Sequence, residues 1–253
     1  MRKPYLLIAM LLMCPVHAEP LRIAMEGQFP PFEEVDPQGH LKGFNVDIAH
    51  ALCAQMKRRC ELQRFAWDDL IPALQQGRTD LILASMSITE ERQQQVDFTR
   101  KYAQTPAFFF AREGAINEVI VTPRRLRGKR VGVQRETTYD RFLTARYQAH
   151  VAVLRFASAA DTYQALQRGD VDLVLDDAVS GYFGFLQTPR GQGFERVGNA
   201  VSAPRFFGKG QGIAVRKGDN ALREGLDQAL LAILDNGVYR RIERRYFQRF
   251  SVY

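Results

Sequence analysis

Gly77-Arg78-Thr79-Asp80-Leu81-Ile82-Leu83-Ala84-Ser85-Met86-Ser87-Ile88-Thr89-Glu90-Glu91-Arg92 reads as a turn, a strand, a polar bend and the start of a helix. Gly77 and Asp80 are turn residues, and the apolar run from Leu81 to Ala84 predicts a strand covered on both faces. The bend then falls at the strand's carboxyl end, where open α/β sheets bind ligands. Thr89 is placed to cap the next helix, and Arg92, one turn in, can reach back to the bend. Two hydroxyls (Ser85 and Ser87), exposed backbone amides and a guanidinium fork form a cradle for a carboxylate. The plainer alternative is an ordinary strand, loop and helix with Arg92 in solvent.

Outward from this stretch, strands alternate with helices. Leu21–Met25 and Glu61–Phe65 read as strands, with a helix from Gly43-Phe44-Asn45-Val46-Asp47 through Cys53 between them and another from Leu70 to Gln76 after them. Leu74-Gln-Gln-Gly-Arg-Thr-Asp-Leu-Ile-Leu83 is echoed by Leu166-Gln-Arg-Gly-Asp-Val-Asp-Leu-Val-Leu175, so a second α/β series follows the first. Its strands are expected near 130–133, 151–156 and 169–175, the last ending at Asp176-Asp177, with Thr137-Thr138 opening a helix. Gln211–Arg216 is a further strand, and helices close the chain from Asn220 through Tyr246. This pattern predicts two similar α/β lobes with largely parallel sheets.

Residues 1–18 have the form of a secretory signal: basic Arg2 and Lys3, a short apolar run from Leu6 to Met13, and Val16-His17-Ala18 before the cleavage point. Export to the periplasm is expected, and no later stretch is long and apolar enough to span a membrane. Of the three cysteines, Cys53 and Cys60 remain after the signal; their spacing suits a disulfide in an oxidising compartment, with two separate buried thiols as the alternative. The net charge of +7 is mostly scattered, and export argues against a nucleic-acid partner. Arg240-Arg241-Ile242-Glu243-Arg244-Arg245 reads as the solvated face of a helix whose Val238, Ile242 and Phe247 point inward.

Gly43-Phe44-Asn45-Val46-Asp47, Asp69-Leu70-Ile71-Pro72-Ala73-Leu74, Ser87-Ile88-Thr89-Glu90-Glu91-Arg92-Gln93-Gln94 and Gly237-Val238-Tyr239 together resemble the periplasmic amino-acid-binding proteins of ABC importers, especially the lysine/arginine/ornithine and histidine receptors. The resemblance implies two α/β lobes joined by two crossing strands, with residues 19–110 and 205–253 in lobe 1, 111–204 in lobe 2 and a ligand cleft between them. It implies binding without chemistry or cofactor: a monomeric receptor that captures an L-amino acid, cationic by its nearest likeness, and delivers it transiently to an inner-membrane ABC permease. It places the ligand carboxylate on Arg92 with donors from Ser85, Ser87 and Thr138, the ligand ammonium on Asp177, aromatic walls on Phe29 and Trp67, and a cationic side chain on Glu26. Ala84, Gln134, Glu136 and Tyr139 depart from the usual pattern, with Glu136 standing where glycine is usual. Cyclohexadienyl dehydratases resemble the same receptors, which keeps an enzyme as one alternative; a ligand-sensing partner of a membrane receptor is another. For Asp177 the alternative reading is a helix cap, a role that suits neighbouring Asp176 better.

Overall fold

The computed structural model describes residues 19–116, 120–248 and 250–253; the expected signal segment lies outside the described residues. Two five-stranded sheets dominate it. In the first half of the chain the strands are β1 (Leu21–Met25), β2 (Gln28–Phe29), β3 (Glu33–Val35), β4 (Leu41–Lys42), β5 (Cys60–Arg64), β6 (Leu81–Ile82) and β7 (Val96–Ala103). The second half supplies β8 (Ala107–Arg112), β9 (Arg130–Gln134), β10 (Ala152–Phe156), β11 (Leu173–Asp177), β12 (Phe194–Val201) and β13 (Gln211–Arg216). Helices α1 (Phe44–Gln55), α2 (Leu70–Gln75), α3 (Glu90–Gln93), α4 (Thr138–Arg146), α5 (Ala159–Arg168), α6 (Pro204–Phe207), α7 (Asn220–Asp235) and α8 (Val238–Phe247) complete the frame.

The first sheet runs β5-β1-β6-β13-β7 and the second β10-β9-β11-β8-β12. In each, three strands are parallel and a fourth, β13 or β8, enters antiparallel. The chain passes from the first sheet to the second at 104–106 and returns over 202–210. Strand β8, which the expected division cuts between 110 and 111, therefore belongs wholly to the second sheet. Each sheet is covered on both faces, as parallel strands require. Leu21, Ile23, Ile213 and Val215 pack under α1, α7 and α8, while Ala24, Ile82 and Ala214 face Leu70 and Leu74 of α2.

The internal echo has a structural counterpart. Asp80 accepts hydrogen bonds from the backbone N–H and the guanidinium of Arg22, at the start of β1. Asp172, at the equivalent place in the echo, accepts the same set from Arg130 at the start of β9. Gly77 and Gly169 end the preceding helices with positive φ, +72° and +80°, where a side chain is strained. In both lobes the same ten residues thus end a helix, turn and lock the next parallel strand to its neighbour.

Gly43 has a different constraint: at φ +129°, an added Cβ would lie 2.5 Å from the Phe32 carbonyl oxygen. In α8, Val238, Ile242 and Phe247 face the core as the pattern predicts and Tyr239 joins them, but Glu243 does not join the solvated arginines. It is buried and accepts from Ser251 Oγ and the Val252 N–H, which pins the C-terminal tail. Composition also hides the helix Ser180–Leu186, an aromatic segment with a widened backbone spiral, and the edge strand β12.

Cys53 and Cys60 are bridged, tying α1 to β5. A loop this short stabilises by roughly 2–3 kcal/mol in the chain-entropy account. Replacing both cysteines by serine is expected to lower the melting temperature by about 2–4 °C for each kcal/mol lost, measured by calorimetric unfolding of oxidised and variant protein.

Candidate ligand-binding site

The carboxyl ends of β1 and β6 face the carboxyl ends of β9 and β11 across the cleft between the two sheets. The cavity there is lined by Glu26, Phe29, Trp67, Ala84, Ser85, Ser87, Arg92 and Gln211 from the first lobe, with Gln134, Thr137, Thr138, Tyr139 and Asp176 from the second. Seven of the eight residues expected at a ligand share this wall; Asp177 does not.

Arg92 is 3% exposed. Thr89 caps α3 by accepting the Arg92 N–H, and this places the guanidinium under the bend. There Nη1 donates to the Ser87 carbonyl at 3.1 Å, Nη2 donates to the Glu136 carbonyl at 3.4 Å, and the group lies 5.3 Å from the Trp67 ring centre. Among the described residues no carboxylate pairs with it. Burial, and then the charge of Arg141, lower its pKa to about 10. The reading of Arg92 as a solvated side chain is therefore replaced by a buried cation aimed at the cavity.

Ser85 sits at φ +52°, a left-handed bend that a non-glycine residue holds only when its surroundings fix it. A buried network does so. The Ser85 N–H donates to the Tyr102 hydroxyl, which donates to Asn45 Oδ1; Asn45 Nδ2 donates to Ser85 Oγ and to Glu33 Oε2. Glu33 Oε1 in turn accepts the Glu26 N–H at 3.0 Å. Glu33, Asn45 and Tyr102 thus hold both the bend and the end of β1. Sequence reasoning missed all three as a scaffold, although Asn45 lay in a quoted motif. The signal was a charged residue directly after the apolar turn Phe29-Pro30-Pro31-Phe32.

In the second lobe Thr137 is the helix cap, accepting the Asp140 N–H and donating to the Gln134 carbonyl, so Thr138 is released to line the cavity. Glu136 has φ +58°, which accounts physically for the glycine usual at that position. Its carbonyl receives the Trp67 Nε1–H at 3.3 Å as well as Arg92, so this strained turn joins the lobes at the cleft mouth. Arg135 pairs with Asp68, and Arg141 with Glu91 at 2.9 Å, along the same rim.

The two adjacent aspartates exchange their expected roles in one respect. Asp177 is the cap: its Oδ1 accepts the N–H groups of Val179 and Ser180. Its Oδ2 accepts from the Thr105 hydroxyl and, at 3.5 Å, from the Tyr139 hydroxyl, so Asp177 stands one layer behind the wall. Asp176 faces the cavity instead and accepts the Tyr163 hydroxyl at 3.0 Å. Alternation along β11 explains this, since the two side chains leave opposite faces of the strand.

Glu26 is 4% exposed, and its Oε1 accepts from Gln134 Nε2 at 2.7 Å across the cleft. Burial, then the charge of Glu33, push its pKa up to about 8; burial raises Glu33 to about 7 and Asp177 to about 6, and burial followed by the charge of Asp177 raises Asp176 to about 7. Raised carboxyl pKa values mean that the folded, ligand-free protein holds protons the unfolded chain has lost. Their stabilising contribution is complete below the unfolded values and disappears as pH rises through about 6–8. The ligand-free protein is expected to melt at a higher temperature at pH 5.5 than at pH 8.5, with Glu26→Gln flattening the alkaline part of the slope in a fluorescence-monitored melt.

The model of the bacterial extracellular solute-binding proteins, family 3, matches residues 21–249. The L-arginine-binding protein of Pseudomonas aeruginosa is 43% identical over 93% of this chain and 90% of its own. The histidine-binding periplasmic protein of Salmonella typhimurium is 34% identical over 92% of this chain and 89% of its own. Among solved structures, an ancestral arginine-binding protein bound to arginine superposes with a TM-score of 0.82 at 34% identity, covering 91% of this chain and 99% of that one. The two-lobed fold is that of this group, and the chain belongs to the bacterial extracellular solute-binding proteins, family 3.

Proposed function

We propose that this chain is a periplasmic receptor that captures an L-amino acid with a cationic side chain and passes it, as a monomer, to an inner-membrane ABC permease. One observation carries the reading: a single narrow cavity holds a buried guanidinium without a carboxylate partner and buried carboxylates without a cationic one. Isolated buried charges are costly, and a ligand of the complementary pattern removes the cost on both sides. Arg92 takes the α-carboxylate with help from Ser85, Ser87 and the exposed amide end of α4 at Thr138. Asp177, one layer behind the wall, answers the α-ammonium once the Tyr139 hydroxyl, which donates to it at 3.5 Å, swings aside. Phe29 and Trp67 flank the methylene stem, and Glu26 meets the distal cation. The names of the relatives, an L-arginine-binding protein among them, support the same ligand class.

Binding favours the closed arrangement because only that state supplies contacts from both lobes. Ligand held in this way is returned unchanged. Overnight incubation with arginine should leave its proton NMR spectrum intact, whereas conversion of arogenate or prephenate to an aromatic product would favour the dehydratase reading.

Two substitutions test the polarity of the cavity by titration calorimetry. Arg92→Ala is expected to weaken every α-amino acid ligand by about 2–5 kcal/mol, and Arg92→Lys to restore only part, because the planar fork is lost. Glu26→Gln is expected to cost arginine, lysine or ornithine about 1.5–3 kcal/mol while leaving glutamine nearly unaffected. Equal losses for arginine and glutamine would make Glu26 a structural group.

A further inference from the structure

Asp176 has no role in the ligand assignments above, yet it is 4% exposed, faces the cavity and has no ion-pair partner among the described residues. Its place follows from register. Strands β9 and β11 pair in parallel with Val174 opposite Gly132. Two residues further along each strand come Asp176 and Gln134, on the same face as that pair. Gln134 then reaches across the cleft to Glu26. Glu26, Gln134 and Asp176 therefore form a row of polar groups that begins in one lobe and ends in the other.

The hydrogen bonds along this row leave a defined set of acceptors open. Tyr163 occupies Asp176 Oδ2, and Gln134 occupies Glu26 Oε1. Gln134 Nε2 also donates to the Ala157 carbonyl, so the amide nitrogen is turned toward two acceptors and its carbonyl oxygen is left over. The Asp177 backbone N–H also donates to the Asp176 carboxylate, and among the described residues no side-chain donor engages Asp176 Oδ1, Glu26 Oε2 or Gln134 Oε1. Three acceptors match an ammonium's three N–H donors in number, but they sit on three side chains spread along a row that runs from one lobe to the other, whereas an ammonium's donors radiate from one nitrogen. A planar guanidinium offers five N–H donors along two edges and can address two carboxylates at once.

Building on the amino-acid reading of the site, we propose that Asp176 is a specificity-determining residue that, with Glu26 and Gln134, forms a two-lobed clamp selecting a guanidinium over a primary ammonium. Lysine and ornithine reach the same row but engage it through a point charge. Arginine bridges Glu26 of the first lobe to Asp176 of the second, so recognition of its head group and closure of the cleft are one event.

The surroundings of the row add a proton-linked consequence. Glu26 is faced by Glu33 behind β1, by Asp68 from the segment before α2, by the Arg64 side chain on its backbone carbonyl, and by Gln134. Asp176 is faced by Tyr163 from α5 and by neighbouring Asp177. Apart from Arg64, which donates to the Glu26 carbonyl and not to its carboxylate, these groups are acidic or neutral, so the empty clamp retains protons that an arriving cation expels.

Titration calorimetry of wild type and Asp176→Asn against L-arginine, L-lysine and L-citrulline tests the clamp, citrulline being the neutral counterpart of arginine in shape. Wild type should prefer arginine to lysine at least about tenfold. Asp176→Asn should weaken arginine about ten- to a hundredfold, lysine by a clearly smaller factor and citrulline by less than about twofold, so that the arginine preference collapses. Equal losses for arginine and lysine, an equal loss for citrulline, or no loss for arginine would each overturn the assignment. If the variant does not fold, wild type alone decides: arginine binding at pH 7, repeated in buffers of different ionisation enthalpy, should release protons where citrulline binding releases none, and equal release would sink the proposal. Wild type that binds none of the three would instead refute the cationic amino-acid reading itself, an outcome separate from retained arginine affinity in Asp176→Asn.

Discussion

Buried charge without an internal partner is the constraint around which this molecule is arranged. Arg92 lies under a polar bend at one end of the cavity, and Glu26 and Asp176 lie at strand ends on its wall. A folded chain tolerates such groups only where neutral hydrogen bonds hold them and a charged ligand completes them. The first condition explains the Glu33–Asn45–Tyr102 network, which uses buried polar side chains to fix Ser85 in a left-handed conformation and to tether the Glu26 backbone. Were one member lost, the bend would have no reason to keep its unfavourable φ, and the carboxylate cradle would open with it.

The two lobes meet this constraint with one repeated device. Asp80 and Asp172 each clamp an arginine at the start of the neighbouring parallel strand through a backbone and a side-chain contact. Parallel strands cannot be joined by tight turns, and their register rests on packing and on such end clamps. With the strand starts fixed, the strand ends are fixed too, and the ends carry Glu26, Ser85, Gln134 and Asp176. A side chain at the far edge of each sheet therefore governs where the binding groups stand.

The sequence made the fold legible because two signals agreed: apolar runs bounded by glycine turns, and the echo of Leu74–Leu83 in Leu166–Leu175. Ser85, Ser87 and Arg92 followed from their position after a strand and at a helix start, and Glu26, Phe29, Trp67, Thr138 and Asp177 from the family resemblance. Three kinds of feature stayed hidden. The antiparallel edge strand β12 carries a mixed polar pattern with no sharp boundary, so its pairing with β8 comes from tertiary context. Glu243 looks like one more charge on a basic helix face, and only the returning C-terminal tail shows that it is buried. The aspartate pair turned on a one-residue phase: adjacent strand residues face opposite sides, and sequence alone did not tell which side was the cleft.

That phase has an energetic consequence for closure. The rim contacts Arg135–Asp68 and Arg141–Glu91 are partly exposed pairs of the kind worth about 0–1 kcal/mol each, too little to set the balance between open and closed states by themselves. The Gln134–Glu26 bond crosses the cleft in a buried setting, but it draws together a region already rich in carboxylates. Bringing Asp176 toward Glu26 in the absence of a cation therefore works against closure, either through repulsion or through the need to take up protons. A cationic ligand changes the sign of that interaction, because the same two carboxylates then face a shared positive group. The ligand's differential affinity for the closed state, which is the only quantity that can shift the population, arises in this cavity from converting a repulsive pair of strand ends into an attractive one.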